Sequence, residues 1–198
     1  MHTVDLEKNL YTKRPLRFDA DGKFRVLMVS DIHGGVGYDE KRTVRAMQAL
    51  VDCTKPHLVL LGGDIAGPGT IHVSNKEELK VLLDGLVAPM EQAGIPWAHV
   101  YGNHDDNFGL PDSEAQTVYE RYPYCVSKTS PADVSGVSNY VLPVWDETGR
   151  ISYSMFLRWT ASTKWMSSGQ SLVWVRMWSP SIWWVWKMRT KAPSGSTR

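Results

Sequence analysis

Short apolar runs, each followed by a polar glycine-rich stretch and then by a helical repeat, set the rhythm of much of the chain. The run at 24–30 (FRVLMVS) is rich in β-formers and follows Asp-Gly punctuation, so it reads as a buried strand. DIHGGVGY comes next as a loop. From about Asp39 to Cys53, Val44, Met47, Leu50 and Val51 recur at helical spacing, and Pro56 lies just beyond; this is an amphipathic helix. His57–Leu61 is a second short strand, and GGDIAGPGT a second loop. Asn75 is placed to cap a helix from about Lys76 to Gln92, with Leu79, Leu82, Leu83, Leu86 and Val87 on one face. Pro89 should kink its last turn or end it early, and Gly94 and Pro96 stop it. Trp97–Tyr101 is a third strand followed by the loop GNHDDNFG. Asp112–Tyr122 reads as a short helix, and Tyr140–Trp145 and Ile151–Leu157 as strands joined by the turn DETG.

Strands that alternate with helices imply parallel βαβ units with right-handed crossovers and an α/β fold. In such sheets ligands bind beyond the carboxyl ends of the strands. Each of the three glycine-rich loops directly follows a strand, so the topology gathers all three along one edge.

Composition refines this picture. With 198 residues the chain is long enough for one domain with its own core. An apolar fraction of 42% and a charged fraction of 22% exclude a wholly disordered or collagen-like protein. The net charge of +1 hides an uneven distribution. Residues 1–147 carry all 21 acids and 14 Lys/Arg, whereas residues 148–198 carry 8 Lys/Arg and no acid. Seven of the nine Trp lie after residue 158, and all six His lie before it. Cys53 and Cys125 are too few and too far apart for a disulfide framework or zinc site, and read as small buried side chains. The polar N-terminus is not a secretory signal, and no run reaches the ~18 apolar residues of a membrane span, which makes the cytoplasm the default compartment. Oligomeric state is left open.

The loops supply the chemistry. Asp31 and His33 follow the first strand, Asp64 the second, and Asn103, His104 and Asp105 the third. Carboxylates with imidazole suit Mn, Fe or Zn. Asp31 and His33, two residues apart, can aim at one ion from a short loop. Asp64, from the next strand, can bridge two ions, Asn103 offers a neutral oxygen, and His104 is free as a general acid or charge stabiliser. Flanking glycines (Gly34, Gly35, Gly62, Gly63, Gly102) let backbone approach closely. Any one of these residues alone reads as a turn or cap residue; the ordered set, each after a strand, reads as a metal site. His57 falls at the far end of its strand, His99 inside a strand as a packed core histidine, and His72 in a loop.

DIH, GGD and GNHD in this order resemble the first three motifs of the calcineurin-like metallophosphoesterases. LRFDADGKFRVLMVSDIHGG resembles their purple-acid-phosphatase-like branch, and the likeness covers about Leu16 to Leu157. The resemblance implies a dinuclear hydrolase of phosphate esters on an α/β/β/α sandwich, of which this chain holds the N-terminal portion, incomplete at the C-terminus. By the same resemblance Asp31 and His33 hold the first metal, Asp64 bridges, Asn103 holds the second, and His104 stabilises the transition state or protonates the leaving group, with Asp105 orienting it. Purple acid phosphatases have a Tyr ligand three residues after the bridging Asp; Gly67 stands there, so no tyrosinate–ferric pair is expected. The family completes its site with later histidines, and none follows His104. The second metal site is therefore expected to be incomplete, the second sheet largely missing, and activity impaired. The alternative function is a non-catalytic protein of this fold that binds metal or a partner.

This divides the chain into an extension (1–15), a partial phosphoesterase domain (16–157) and a basic, Trp-rich tail (158–198). The tail admits three readings: a membrane-interface segment, a stacking surface for single-stranded nucleic acid, or an out-of-frame sequence. Its seven Trp do not share a helical face, which disfavours the first. The second needs a folded groove, so no specific nucleic-acid binding is expected. The third is favoured, because Trp has a single codon and a shifted frame from Arg158 permits an acidic, glycine-punctuated string. It explains the loss of acids, the surge of Trp and the missing His together.

Overall fold

The computed structural model describes residues 14–34, 40–66, 73–102, 104–105, 109–134 and 136–146, together with strands at 151–157 and 184–185. Ten elements follow one another among these residues. They are β1 (Leu16–Arg17), β2 (Val26–Val29), α1 (Glu40–Thr54), β3 (Leu58–Leu61), α2 (Lys76–Ala93), β4 (Trp97–His99), α3 (Asp112–Tyr119), β5 (Tyr140–Trp145), β6 (Ile151–Leu157) and β7 (Trp184–Val185). The expected strands and helices all appear, with ends shifted by a few residues. Pro89 does not end α2, which runs on to Ala93. The buried Pro89 and Met90 hold the last turn by packing. Asn75 caps α2 through its side chain, which accepts the Glu78 N–H at 2.9 Å, and Gly94 closes it in the left-handed conformation at φ 69°.

Two sheets form. The central one has the order β4-β3-β2-β7, all parallel, and the second has the order β1-β5-β6. The period of two along each strand decides which core a residue enters. Leu27, Val59, Leu61 and Trp97 join Met47, Val51, Leu83, Leu86 and Tyr119 of the helices in one core. Their neighbours Val26, Leu58, Leu60 and Ala98 point the other way and meet Leu16, Tyr140, Leu142 and Val144 of the second sheet. The layering among the described residues is therefore helices, sheet, sheet. A near-continuous apolar strand such as Leu58–Leu61, buried at every position, is what a strand covered on both faces requires.

The second sheet is more complete than expected. It gains β1 from the N-terminal side, where Leu16 and Arg17 pair in parallel with Val144 and Trp145. Cys53 is exposed, against expectation, and Cys125 is buried. Residues 1–13, His72 and the side chains of the 158–198 tail lie outside the described residues. Among the described residues no helix is long and apolar enough to cross a membrane.

Candidate metal centre

The loops after β2, β3 and β4 are joined by their backbones before any side chain is considered. The parallel ladder of β2 and β3 continues into the loops: Asp31 N–H donates to Gly63 O (3.1 Å), His33 N–H to Asp64 O (2.9 Å) and Gly34 N–H to Ile65 O (2.8 Å). Gly63, at φ 93°, lies in backbone contact with Gly102, and a Cβ on Gly102 would collide with the Asp64 carboxylate. Only glycine allows this approach.

Asp31, His33 and Asp64 all take positive φ, at 56°, 50° and 52°. Asp and His are among the few side chains that tolerate this region, at about 1 kcal/mol or more each. The ligand chemistry and the backbone demand thus select the same residue types. The conformation turns the three side chains to a common point. One ligand atom from each of Asp31, His33 and Asp64 lies within 4.8 Å of the other two. Asp64 is buried, His33 half-buried and Asp31 exposed, so the group is closed on the protein side and open to solvent. Ser30 Oγ donates to Asp31 Oδ2 at 2.9 Å, and His33 Nε2 is 3.8 Å from Asp31 Oδ1. His33 Nδ1 is buried without a hydrogen-bond partner. Two carboxylates and an imidazole brought this close, with His33 Nε2 on the side of Asp31, form a cluster whose negative charge a cation would balance. Two oxygens and one nitrogen are a donor set for Mn, Fe or Zn.

His104 joins this group. Its N–H donates to Asp64 Oδ1 (2.9 Å), and its ring meets His33 edge-on at 5.5 Å between centroids. Asp105 turns inward and is 1% exposed. Its Oδ2 accepts the N–H groups of Asp64 and Gly102, both at 2.8 Å, and its Oδ1 accepts that of Ile65 at 2.9 Å. Burial pushes its pKa up to about 6. The three backbone bonds oppose that rise, and the nearby Asp64 carboxylate adds to it. This placement of Asp105 was not legible in the motif. The signal that could have found it is the pair Gly63 and Gly102, because loops pressed together there leave main-chain N–H groups in need of an acceptor.

Asn103 lies outside the described residues. His99 is not part of this group; it lies in the core, where it stacks on Tyr119 (3.6 Å) and bonds Ser127 Oγ at 2.8 Å. His57 sits at the opposite end of the sheet, where its Nδ1 accepts the Arg25 N–H at 2.9 Å.

Comparison with known proteins identifies the family of the chain. The family model for calcineurin-like phosphoesterases matches residues 24–182. The chain is 33% identical over 144 residues to "Phosphatase DCR2" of Saccharomyces cerevisiae, covering 63% of this chain and 24% of that protein. It is 26% identical over 154 residues to "Probable inactive purple acid phosphatase 14" of Arabidopsis thaliana, covering 68% and 37%. It is 28% identical over 164 residues to "Probable inactive purple acid phosphatase 28" of the same plant, covering 69% and 40%. The matched region therefore spans between 24% and 40% of the length of these curated relatives.

Proposed function

The chain belongs to the calcineurin-like phosphoesterase family, and from that premise we propose that its loop edge is the metal-binding part of a centre for phosphate-ester hydrolysis. The observation that carries this reading is the convergence of Asp31, His33 and Asp64. In the reading, Asp31 and His33 would hold one ion, Asp64 would be shared with a second, and Asn103 would serve that second ion. Such ions polarise a phosphoryl oxygen and lower the pKa of bound water. The chain's own groups do the rest. The Asp64 carboxylate is held in one orientation by the His104 N–H. The His104 imidazole, edge-on to His33, would stabilise charge or protonate the departing oxygen; its contact with the His33 ring supports that role. Asp105 acts behind the site.

One observation favours a weaker centre than the family's full one. No histidine follows His104. Residues 105–198 thus supply no imidazole to complete the coordination of a second ion, and we propose that this chain binds one ion well, the second poorly, and turns over slowly. The second reading, a non-catalytic metal- or partner-binding protein, is supported by the same gap. Metal stoichiometry after loading with manganese and hydrolysis of a chromogenic phosphodiester test both readings. One tightly held ion with slow hydrolysis is expected. Two fully occupied sites with rapid turnover overturn the impaired reading, one ion without hydrolysis favours the non-catalytic one, and no bound metal ends the metal reading.

A further inference from the structure

Three loop N–H groups from two different βα connections converge on one buried carboxylate. Asp105 takes Asp64 N–H and Gly102 N–H on Oδ2 and Ile65 N–H on Oδ1. Two buried carboxylates tie the loop after β3 to the loop after β4, Asp105 at 1% exposure and Asp64 at 6%, and Asp105 takes three of the four main-chain N–H groups. The residue whose N–H it holds is Asp64, and the next residue in the chain before it, His104, holds the Asp64 carboxylate from the other side. Main chain and side chain of Asp64 are thus gripped by consecutive residues, with Gly63 and Gly102 in contact between them.

We propose that Asp105 is a positioning residue: an acceptor lock that joins the two loops and sets where the Asp64 carboxylate points. The proposal rests on the metal reading of Asp64, but not on any titration of Asp105 or contact of Asp105 with an ion. The geometry explains why a carboxylate is needed. An Asn side chain presents one oxygen and one NH₂ group, so one of its two ends would face N–H donors with a donor. Oδ2 with two N–H groups and Oδ1 with one leave no orientation of an amide that satisfies all three.

The test is Asp105→Asn in the full chain, read by Mn²⁺ affinity and by amide hydrogen exchange. Val118→Ala, in the core of α3, serves as the control for general loss of stability. We expect the wild-type amides of Asp64, Ile65 and Gly102 to exchange slowly although they lie in loops. Asp105→Asn should release all three and lower Mn²⁺ affinity roughly tenfold or more, as loss of an outer-shell partner does. Val118→Ala, even with an equal fall in Tm, should leave affinity within about twofold. Equal affinity changes in the two variants, or none in Asp105→Asn, overturn the proposal. If Asp105→Asn does not fold, exchange in the wild type decides alone: three amides as fast as exposed loop amides overturn it, and three slow ones uphold it. A wild type that binds no Mn²⁺ yet shows three slow amides, lost in Asp105→Asn, leaves the lock standing and removes the metal reading instead.

Discussion

Both ends of the central sheet bring a carboxylate and an imidazole to 3.8 Å, Asp31 with His33 at the loop edge and Asp19 with His57 at the far edge. At the far edge the protein supplies its own cation. Arg25 reaches Asp19 Oδ2 and Lys55 O, each at 2.9 Å, and approaches His57 Nε2 at 3.1 Å, while its N–H donates to His57 Nδ1. Burial, with Arg25 beside it, holds the His57 pKa below its ordinary value. The Lys23 N–H and Arg25 hold Asp19 low. At the loop edge, among the described residues, no Arg or Lys pairs with Asp31 or Asp64, and His33 Nδ1 is left without a partner. The same residue pair is thus closed off by an arginine at one end and left open to an ion at the other. The difference between the two pairs lies in whether the protein itself provides the positive charge.

Changes at the two ends should separate accordingly. The largest effect is expected from Gly102→Ala, whose Cβ would overlap the Asp64 carboxylate. It should cost about 3 kcal/mol or more of stability, and Mn²⁺ binding with it. Urea unfolding at wild-type stability would show that the loops need no such approach. Asp64→Asn should keep the His104 N–H bond, and so most of the stability, but lower Mn²⁺ affinity by about 100-fold or more by calorimetry. Retained affinity would move the ligand role away from Asp64.

Acid should act between the two ends, in the core. Burial holds the His99 pKa down to about 3, against about 6.5 in an unfolded chain. Neutral His99 therefore contributes stability that is complete above pH 6.5 and falls as the pH drops toward 3, by about 2 kcal/mol between pH 6.5 and 5. His57, also held low, adds to the same slope. His99→Gln should remove most of it in thermal melts across that range, and an unaltered slope would place the titration elsewhere. Arg25→Ala should lower Tm by roughly 3–6 °C and leave Mn²⁺ affinity within about twofold. A change in affinity would show that the two ends communicate. The smallest effect is at Lys55, which closes α1 at φ 45°, where glycine is usual. Lys55→Gly should raise unfolding free energy by about 0.5–1 kcal/mol without touching the metal site.

The sheet and helices were legible because their signal is local. The Leu79–Leu83–Leu86 face of α2, the Asn75 cap and the unbroken apolar strand Leu58–Leu61 are each written in a few adjacent residues. The two-residue strand β1 was not legible, because its partner Val144–Trp145 lies far along the chain and two residues carry no periodicity. Cys53 was misplaced because a free cysteine was read as buried from residue type alone, and its position on α1 leaves it exposed.

The residues that converge, Asp31, His33 and Asp64, were legible as residue types in order, each after a strand. The sequence by itself determined the parallel architecture, the edge at which three polar loops meet, and the candidates Asp31, His33, Asp64 and His104, since period and motif order are properties of adjacent residues. The tertiary structure alone decided the positive φ angles that aim Asp31, His33 and Asp64, and the Arg25 charge that closes off Asp19 and His57. It also decided the turning of Asp105 inward onto three main-chain N–H groups. These depend on which backbones come into contact, and contact between loops some forty residues apart follows from the packing of the sheet rather than from any neighbour in the chain.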